Sequence, residues 1–279
     1  MARPKQEFLP VDPIDAAAIA GTRLESVEEI RKAVQVGRKP TEKESQADTD
    51  TLDFRPVHRA PMAMLCILDD GRNEGEWIRL RQDVTVIGRT EGDIKIPHDG
   101  SMSSRHLAIT RTAEKGRYRW HLSDLDSTNG IFVRVSKAIL RHGQEIMIGG
   151  GRFRFEAGGA VPAKVQDADV PETRAWQNVQ PTDLLSSLVE LAIQGTGQRH
   201  FLKTGDTWIG RDLSQCAVAQ VNDLMASPRH ARIFQDEKRV WYIENAGSRN
   251  GTWVRLKRMP VDNFAQFQVG EQRFLLKIL

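Results

Sequence analysis

Hydrophobic and polar residues alternate in short runs along most of the chain. In the segment RYRWHLSDL, residues 117–125, the large apolar residues Tyr118, Trp120 and Leu122 each have a polar neighbour on both sides. This period of two is typical of a strand that buries one face. Clusters of Gly and Asp separate such runs every eight to twelve residues or so, as in sandwiches and barrels. The pattern therefore predicts an all-β protein.

The strand-like runs fall into two regions, residues 61–157 and 184–279. Residues 158–183 between them are rich in Gly, Ala, Pro and charge, which is typical of a linker. The segment DLLSSLVELAIQ at the start of the second region fits a helix by its apolar spacing and a strand by its position. We interpret it as a strand from Leu188 onward.

Residues 1–60 have a different character and are predicted to be mostly disordered, with short helices. Asp12 and Pro13 are typical of a helix start, and Ser26 and Glu29 form a predicted capping box at the start of a second helix. Residues 39–53 are polar and acidic, which indicates disorder.

Composition excludes several classes of function. The formal net charge of +3 is small and dispersed, so a nucleic-acid surface is not expected. We find no secretory signal and no apolar run of about 18 residues, and we expect a cytoplasmic protein with no membrane contact. Cys66 and Cys216 are isolated among apolar residues, so they are predicted to be buried rather than to form a disulfide or bind metal.

The two β-rich regions are repeats of one another. Gly88-Arg89 and Gly210-Arg211 are 122 residues apart. Ser-x-x-His recurs after 124 residues, and Asn-Gly recurs after 121. Three landmarks in the same order, at nearly the same spacing, indicate duplication of a whole domain.

The repeated residues are suited to binding an anion. They follow predicted strands, and loops at one end of a sandwich converge on a single rim. An arginine offers a fork of donors that matches phosphate oxygens, a serine adds a hydroxyl donor, and an asparagine amide can pair with an extended peptide backbone.

The segments VIGRTEGDIKIPHDGSMSSRHLAI and LSDLDSTNGIFV resemble the forkhead-associated (FHA) domain, and the second repeat fits the same pattern. The resemblance covers both β-rich regions. It implies two β-sandwiches of about eleven strands each, whose apical loops bind phosphothreonine in partner proteins. It implies no cofactor and no enzyme activity.

Carried over by motif, the resemblance assigns roles to fifteen residues. The expected phosphopeptide-binding residues are Arg89, Ser103, Ser104, Thr128 and Asn129 in the first repeat, and Arg211, Ser227, Arg249 and Asn250 in the second. The expected supports of the loops are Gly88, His106, Gly130, Gly210, His230 and Gly251. Gly88 and Gly130 are expected to allow turns that a side chain would obstruct.

The second repeat departs from the first at two positions. Pro228 replaces Ser104 and therefore lacks both an N–H and a polar side chain, whereas Arg249 replaces Thr128 and could restore charge. The second repeat is thus expected to bind phosphate less well.

Two other classes of function remain open at this point. A hydrolase could be built on Ser103, His106 and Asp126, but no Gly-x-Ser-x-Gly elbow is present. The other alternative is a scaffold that binds partners through its sandwich faces, independently of phosphate, with the second domain degenerate.

We predict a tandem phosphothreonine adaptor in Ser/Thr kinase signalling, whose partners are phosphothreonine proteins such as a kinase or its substrates. Phosphorylated Thr41, Thr49 or Thr51 could also occupy the first site of the same chain. No metal is expected, since the histidines lack the spacing of metal ligands.

Overall fold

The computed structural model describes residues 21–26, 28–29, 62–68, 75–114, 117–159, 184–192, 196–203 and 205–279. The strands of the first half of the chain are β1 (Arg23–Leu24), β2 (Ala63–Leu68), β3 (Glu76–Leu80), β4 (Val84–Gly88), β5 (Ile94–Lys95), β6 (Leu107–Glu114), β7 (Arg117–Asp124), β8 (Ile131–Ile139), β9 (Glu145–Ile148) and β10 (Gly151–Glu156). Those of the second half are β11 (Ser187–Leu191), β12 (Thr196–Phe201), β13 (Thr207–Gly210), β14 (Val218–Ala219), β15 (Ala231–Gln235), β16 (Trp241–Asn245), β17 (Thr252–Leu256), β18 (Arg258–Val261), β19 (Phe264–Val269) and β20 (Gln272–Ile278).

The predicted all-β class is confirmed, because regular structure in the described residues is almost entirely strand. The segment with Tyr118 and Trp120 forms β7, and the ambiguous segment forms β11, as predicted. Among these residues, none belongs to a helix with the length and apolarity needed to cross a membrane.

The predicted capping box is present near the amino terminus. The Ser26 N–H donates to Glu29 Oε2 at 2.6 Å, and the Glu29 N–H donates to Ser26 Oγ at 3.2 Å. This reciprocal pair satisfies two N–H groups that a helix start leaves free. The predicted helix at Asp12 and the predicted disorder of residues 39–53 lie outside the described residues.

The chain folds into two compact units, and neither is continuous in sequence. The first unit comprises Glu25–Ile131 and Pro260–Leu279, and the second comprises Met1–Leu24 and Phe132–Met259.

The first unit contains two sheets. One has the antiparallel order β3-β2-β20-β19, and the other the order β7-β6-β4-β5, in which β4 and β5 are parallel. Apolar side chains from both sheets form the core, because alternate residues of each strand face inward. The largest fully buried ones include Leu65, Ile87, Leu107, Ile109, Trp120, Leu122, Phe267 and Phe274.

The second unit contains a continuous run of paired strands, in the order β12-β11-β10-β9-β17-β8-β16-β15-β13-β14. β1 also pairs with β8 in this unit. Trp253, Phe153 and Phe155 are its largest fully buried side chains. Cys216 of this unit and Cys66 of the first unit are both buried, as predicted.

Each unit combines strands from both sequence repeats. In the first unit β20, the last strand of the second repeat, pairs with β2, and Leu65 lies opposite Leu276. In the second unit β10, the last strand of the first repeat, pairs with β11, and Phe155 lies opposite Leu188. The domain boundaries predicted at 61–157 and 184–279 follow the sequence repeats and remain a prediction. In the compact units, the last strand of each repeat pairs with the first strand of the other repeat.

Candidate functional site

In the first unit, Arg89 is placed beside the serine loop by its own backbone. It follows β4 directly, and its N–H donates to the carbonyl of Ser103 at 2.9 Å. Two residues further on, the Glu91 N–H donates to the carbonyl of Ser104 at 3.0 Å. The loop after β4 and the loop before β6 therefore run together, with Arg89 and Ser103 both partly exposed.

The hydroxyl of Ser103 connects this pair of loops to the loop after β7. The Thr128 N–H donates to Ser103 Oγ at 3.2 Å. A serine hydroxyl has one donor and two acceptor positions, so this bond occupies an acceptor position only. The hydroxyl proton of Ser103 remains available to an acceptor from outside, next to the exposed side chains of Ser104 and Thr128.

His106 lies fully buried beneath these loops. Its Nδ1 accepts the Ser103 N–H at 3.0 Å, which places the ring proton on Nε2, and Nε2 donates to the carbonyl of Gly130 at 3.1 Å. Both ring nitrogens are thus used by backbone groups of two different loops. This is the bracing geometry expected of His106. The hydrolase alternative requires a ring nitrogen of His106 to act as a base for the hydroxyl of Ser103, and this geometry leaves none for that role.

Asn129 also joins two loops. Its Nδ2 donates to the carbonyl of Ser101 at 2.8 Å. The amide nitrogen therefore fixes the loop before β6, and the contact expected between this side chain and a peptide stays a prediction.

The second unit repeats this geometry. The Arg211 N–H donates to the carbonyl of Ser227 at 2.9 Å, and the Arg249 N–H donates to Ser227 Oγ at 3.3 Å. Asn250 Nδ2 donates to the carbonyl of Met225 at 2.8 Å. The hydroxyl proton of Ser227 is left available in the same way as that of Ser103.

His230 occupies the place of His106 and is equally buried. Its Nδ1 accepts the Ser227 N–H at 3.1 Å, and its Nε2 donates to the carbonyl of Gly251 at 2.9 Å. Burial lowers the pKa of His230, and the bond to Gly251 opposes this shift only in part. The ring is therefore held in its neutral form.

Two features distinguish the second site from the first. Pro228 is exposed where the first site has Ser104, and its carbonyl accepts the Asp212 N–H and the Cys216 thiol, both at 3.1 Å. Arg229 stacks on Trp208, with Cζ 3.6 Å from the ring centre, a distance typical of a cation–π contact. The exposed Arg249 and the partly exposed Arg211 therefore supply positive charge on the loops around Ser227.

The glycines of the two sites have two separate functions. Gly130 and Gly251 each have φ of 75°, a turn conformation that a side chain disfavours, as expected for Gly130. Gly88 and Gly210 end their strands without positive φ. A Cβ at Gly88 would lie 2.1 Å from the carbonyl oxygen of Ser104, so Gly88 is required for a close approach of two loops and not for a turn.

Four loop-supporting residues were missed by the sequence reasoning. Asp99 Oδ2 accepts the Glu271 N–H and Asp223 Oδ2 accepts the Gly150 N–H, both at 2.8 Å. Ser127 and Ser248 lie buried in the loops that carry Asn129 and Asn250. The sequence repeat could have identified these residues. Asp99 and Asp223 are 124 residues apart and Ser127 and Ser248 are 121 apart, the same offsets as those of the neighbouring motifs.

The comparisons with known proteins agree with this geometry. The family model of the FHA domain matches residues 85–149 and 207–272. The chain carries two FHA domains in tandem. FHA domains are interaction modules that read phosphorylated motifs. The two matches include all nine predicted phosphopeptide-binding residues.

Several solved structures are similar to part of the chain. Full-length yeast Pml1p is 23% identical over 29% of this chain and 62% of its own, with a TM-score of 0.26. A structure described as an analysis of phosphothreonine-dependent FHA domain interactions is 29% identical over 33% of this chain and 91% of its own, with a TM-score of 0.21. EmbR of Mycobacterium tuberculosis is 26% identical over 34% of this chain and 24% of its own, with a TM-score of 0.21. None of the curated proteins matches the chain.

Proposed function

We propose that the chain is a phosphothreonine-dependent adaptor in Ser/Thr kinase signalling, with one binding site on each FHA domain. The proposal is carried by one relationship that occurs twice. In each site an arginine is bonded through its N–H to the carbonyl of a serine, and the hydroxyl of that serine receives an N–H from the next loop. The arginine and the serine hydroxyl therefore lie on neighbouring loops, and a guanidinium and a hydroxyl proton both suit a dianionic phosphate.

The peptide is expected to bind as an extended segment. Thr128 and Asn129 in the first site, and Arg249 and Asn250 in the second, lie on the loop that contacts the serine hydroxyl. Following the resemblance, we assign them to contacts with the peptide on either side of the phosphothreonine. The phosphate carries a charge near −2, so Glu or Asp in its place should substitute poorly.

The test measures the affinity of the full chain for a phosphothreonine peptide by fluorescence anisotropy. Arg89→Ala should remove binding at the first site and Arg211→Ala at the second, each with a loss of about a hundredfold at that site, since an arginine makes more than one charged hydrogen bond to phosphate. The double variant should bind the phosphorylated and unphosphorylated peptides equally weakly.

Arg81→Ala is the matched control. Arg81 is exposed, belongs to the same unit and lies at the other end of β4 from Arg89. Its loss changes the net charge equally and should leave affinity unchanged. Affinity that survives the double variant, or that ignores phosphatase treatment of the peptide, would instead support the phosphate-independent scaffold.

The expected partners and their location follow from the predicted function. Partners would be phosphothreonine proteins, such as a Ser/Thr kinase or its substrates, in the cytoplasm. Thr41, Thr49 and Thr51 lie outside the described residues, so their binding to the first site stays a prediction. Deletion of residues 1–55 after kinase treatment should raise peptide affinity if one of them occupies that site.

A further inference from the structure

A cavity of about 550 Å³ opens at one corner of the second unit. Its walls come from the start of β10, the end of β11 and the segment that follows β14, which are residues 150–153, 190–192 and 219–223. A volume of this size is typical of sites for small molecules. The first repeat supplies the wall from β10 and the second repeat supplies the other two, so the cavity is built from both repeats.

The first unit closes the equivalent corner with a side chain. Gly151 corresponds to Gln272 at the 121-residue offset. Gln272 is buried, and its Nε2 donates to the carbonyl of Leu68 at 2.9 Å. Gly151 has no side chain to fill this place, and the amide of Gln220 lies over it instead, because a Cβ at Gly151 would overlap Gln220 Nε2.

Two further positions change from apolar in the first unit to polar in the second. Gln220 and Ile96 are equivalent, because each donates its N–H to the carbonyl of the glycine that ends β13 or β4. Glu190 and Ile67 are equivalent, because each lies opposite the first phenylalanine of β10 or β20. Both isoleucines are buried. The corner that is apolar and filled in the first unit is therefore polar and open in the second.

The amide of Gln220 has an unmet hydrogen bond. Its Oε1 is buried and has no hydrogen-bond partner in the part of the chain that the structure describes. A buried acceptor without a donor costs free energy, and the apolar side chain of Ile96 avoids this cost in the first unit. Because the terminal torsion of a glutamine side chain is broad, the amide can turn Oε1 towards a donor in the cavity. This group is suited to a ligand with N–H donors.

The charged residues that line the cavity favour a positive ligand. Glu190 Oε1 contacts His200 Nε2 at 2.8 Å, but the glutamate side chain is 40% exposed and a carboxylate can accept several donors. Asp223 is a second carboxylate in the lining. Arg152 is the cation among the lining residues, and it is already bound to Glu145 at 2.7 Å. The lining therefore has carboxylate charge that a cation can balance.

We propose that this cavity binds a small organic cation, in which an amidinium, a guanidinium or a primary ammonium is joined to an apolar body. Gln220 Oε1 and the carboxylate of Glu190 accept its N–H groups in charge-assisted hydrogen bonds. Leu191 and Val221 line the same cavity and contact the apolar body. This site is additional to the proposed phosphothreonine function and does not depend on it.

The probe is benzamidine, whose amidinium is a planar cation on an apolar ring. Isothermal titration of the full chain in about 0.15 M salt limits weak attraction to exposed surface charge. Benzamidine should bind saturably with a Kd below about 1 mM. Benzamide has nearly the same shape without the charge and should bind at least about tenfold more weakly, because its hydrogen bonds are not charge-assisted. Benzoate should not bind.

Two variants give the second unit the residues of the first. Gly151→Gln places a side chain where the first unit has Gln272, and it should abolish benzamidine binding by filling the cavity. The side chain that it meets is the flexible end of Gln220, which can move aside, so the fold should be retained and thermal unfolding checks this. Gln220→Ile copies Ile96 and should weaken binding at least about tenfold, since it removes an acceptor for a charged donor.

A further pair of variants tests the charge. Glu190→Gln should weaken benzamidine binding at least about tenfold and leave the affinity for benzamide nearly unchanged. Glu237→Gln is the matched control, because Glu237 is an exposed glutamate of the same unit on the turn between β15 and β16. It changes the net charge equally and should leave benzamidine affinity unchanged.

Three results would overturn the inference. Absence of saturable benzamidine binding up to about 10 mM would show that the cavity takes solvent only. Equal affinity for benzamidine and benzamide, or binding that persists in both Gly151→Gln and Gln220→Ile, would place the ligand elsewhere or remove the selection for charge. Equal weakening by Glu190→Gln and Glu237→Gln would show general attraction to the protein surface. Selective binding of the cation, lost in the variants of the cavity alone, is the expected result.

Discussion

The backbone N–H of Ser227 donates to Nδ1 of the buried His230 at 3.1 Å, so the serine that faces the proposed phosphate is held by a neutral imidazole. A proton on Nδ1 would oppose that N–H directly. Burial lowers the pKa of His230 below its ordinary value of 6.5, which matches this requirement.

The second unit should therefore lose stability in mild acid. Near pH 6.5 the unfolded chain begins to bind a proton at this histidine, while the folded ring binds it only at lower pH. The contribution of His230 is thus complete above pH 6.5 and is lost as pH falls through the folded pKa, with a slope of up to about 1.4 kcal/mol per pH unit. Urea unfolding at a series of pH values measures this dependence.

The variant His230→Asn isolates the contribution of this ring. It should be less stable at neutral pH, because a buried hydrogen-bonded group is replaced, and its stability should change less between pH 6.5 and 5 than that of the native chain. Equal pH dependence in the two proteins would show that the titration of His230 has no part in stability.

Ser103→Ala should weaken phosphopeptide binding at the first site by about tenfold to a hundredfold, since it removes a donor to a charged group. It also leaves the Thr128 N–H without its acceptor. Measurement in a chain with Arg211→Ala restricts the effect to the first site. The control is Ser101→Ala, which retains the backbone carbonyl that Asn129 uses and should bind normally.

Gly88→Ala should destabilise the first unit by about 1–3 kcal/mol or more, because the new Cβ would overlap the Ser104 carbonyl oxygen. Gly100→Ala is the matched substitution in the next loop. Its Cβ meets no atom and its φ is not positive, so it should be neutral or stabilising by up to about 1 kcal/mol. Thermal unfolding of the two variants compares them, and equal melting temperatures would contradict the close approach inferred here.

Much of the fold and the site could be predicted from local sequence. The alternation of apolar and polar residues from Tyr118 to Leu122 predicts a strand regardless of its position in the fold. The repeated Gly-Arg, Ser-x-x-His and Asn-Gly motifs predict the loops that form the two sites. The roles of Asp99 and Asp223 were missed because each acts on a backbone N–H far away in sequence. Such contacts depend on tertiary structure, which composition and spacing do not report.

The exchange of the final strands could not be predicted for a different reason. β10 and β20 occupy equivalent positions in two similar repeats, so either one can add to β2 or to β11 with comparable alternation of apolar residues. Domain swapping between like elements changes few contacts and leaves the sequence pattern the same.

The pairing of β20 with β2 predicts a specific disulfide. Cys66 lies opposite Leu275 in this antiparallel pair, and opposite residues have Cβ atoms about 4.5–5.5 Å apart, close enough for a bridge after a small shift. Leu275→Cys, with mild oxidant, should therefore form a bond to Cys66 within one chain, detected by mass spectrometry of non-reduced peptides from the monomer.

Arg154→Cys is the matched test of the alternative pairing. Arg154 corresponds to Leu275 at the 121-residue offset, and in the structure it lies opposite Val189 on β11. In the alternative pairing, the first strand of each repeat pairs with the last strand of the same repeat. Arg154 would then lie opposite Cys66, and the disulfide would form in the Arg154→Cys variant but not in Leu275→Cys. A bond from residue 275 that appears only in covalent dimers would show that the strand is exchanged between two copies of the chain, which also contradicts the pairing within one chain. Formation in Leu275→Cys monomers alone is the expected result, because only that variant places two thiols on neighbouring strands of the first unit.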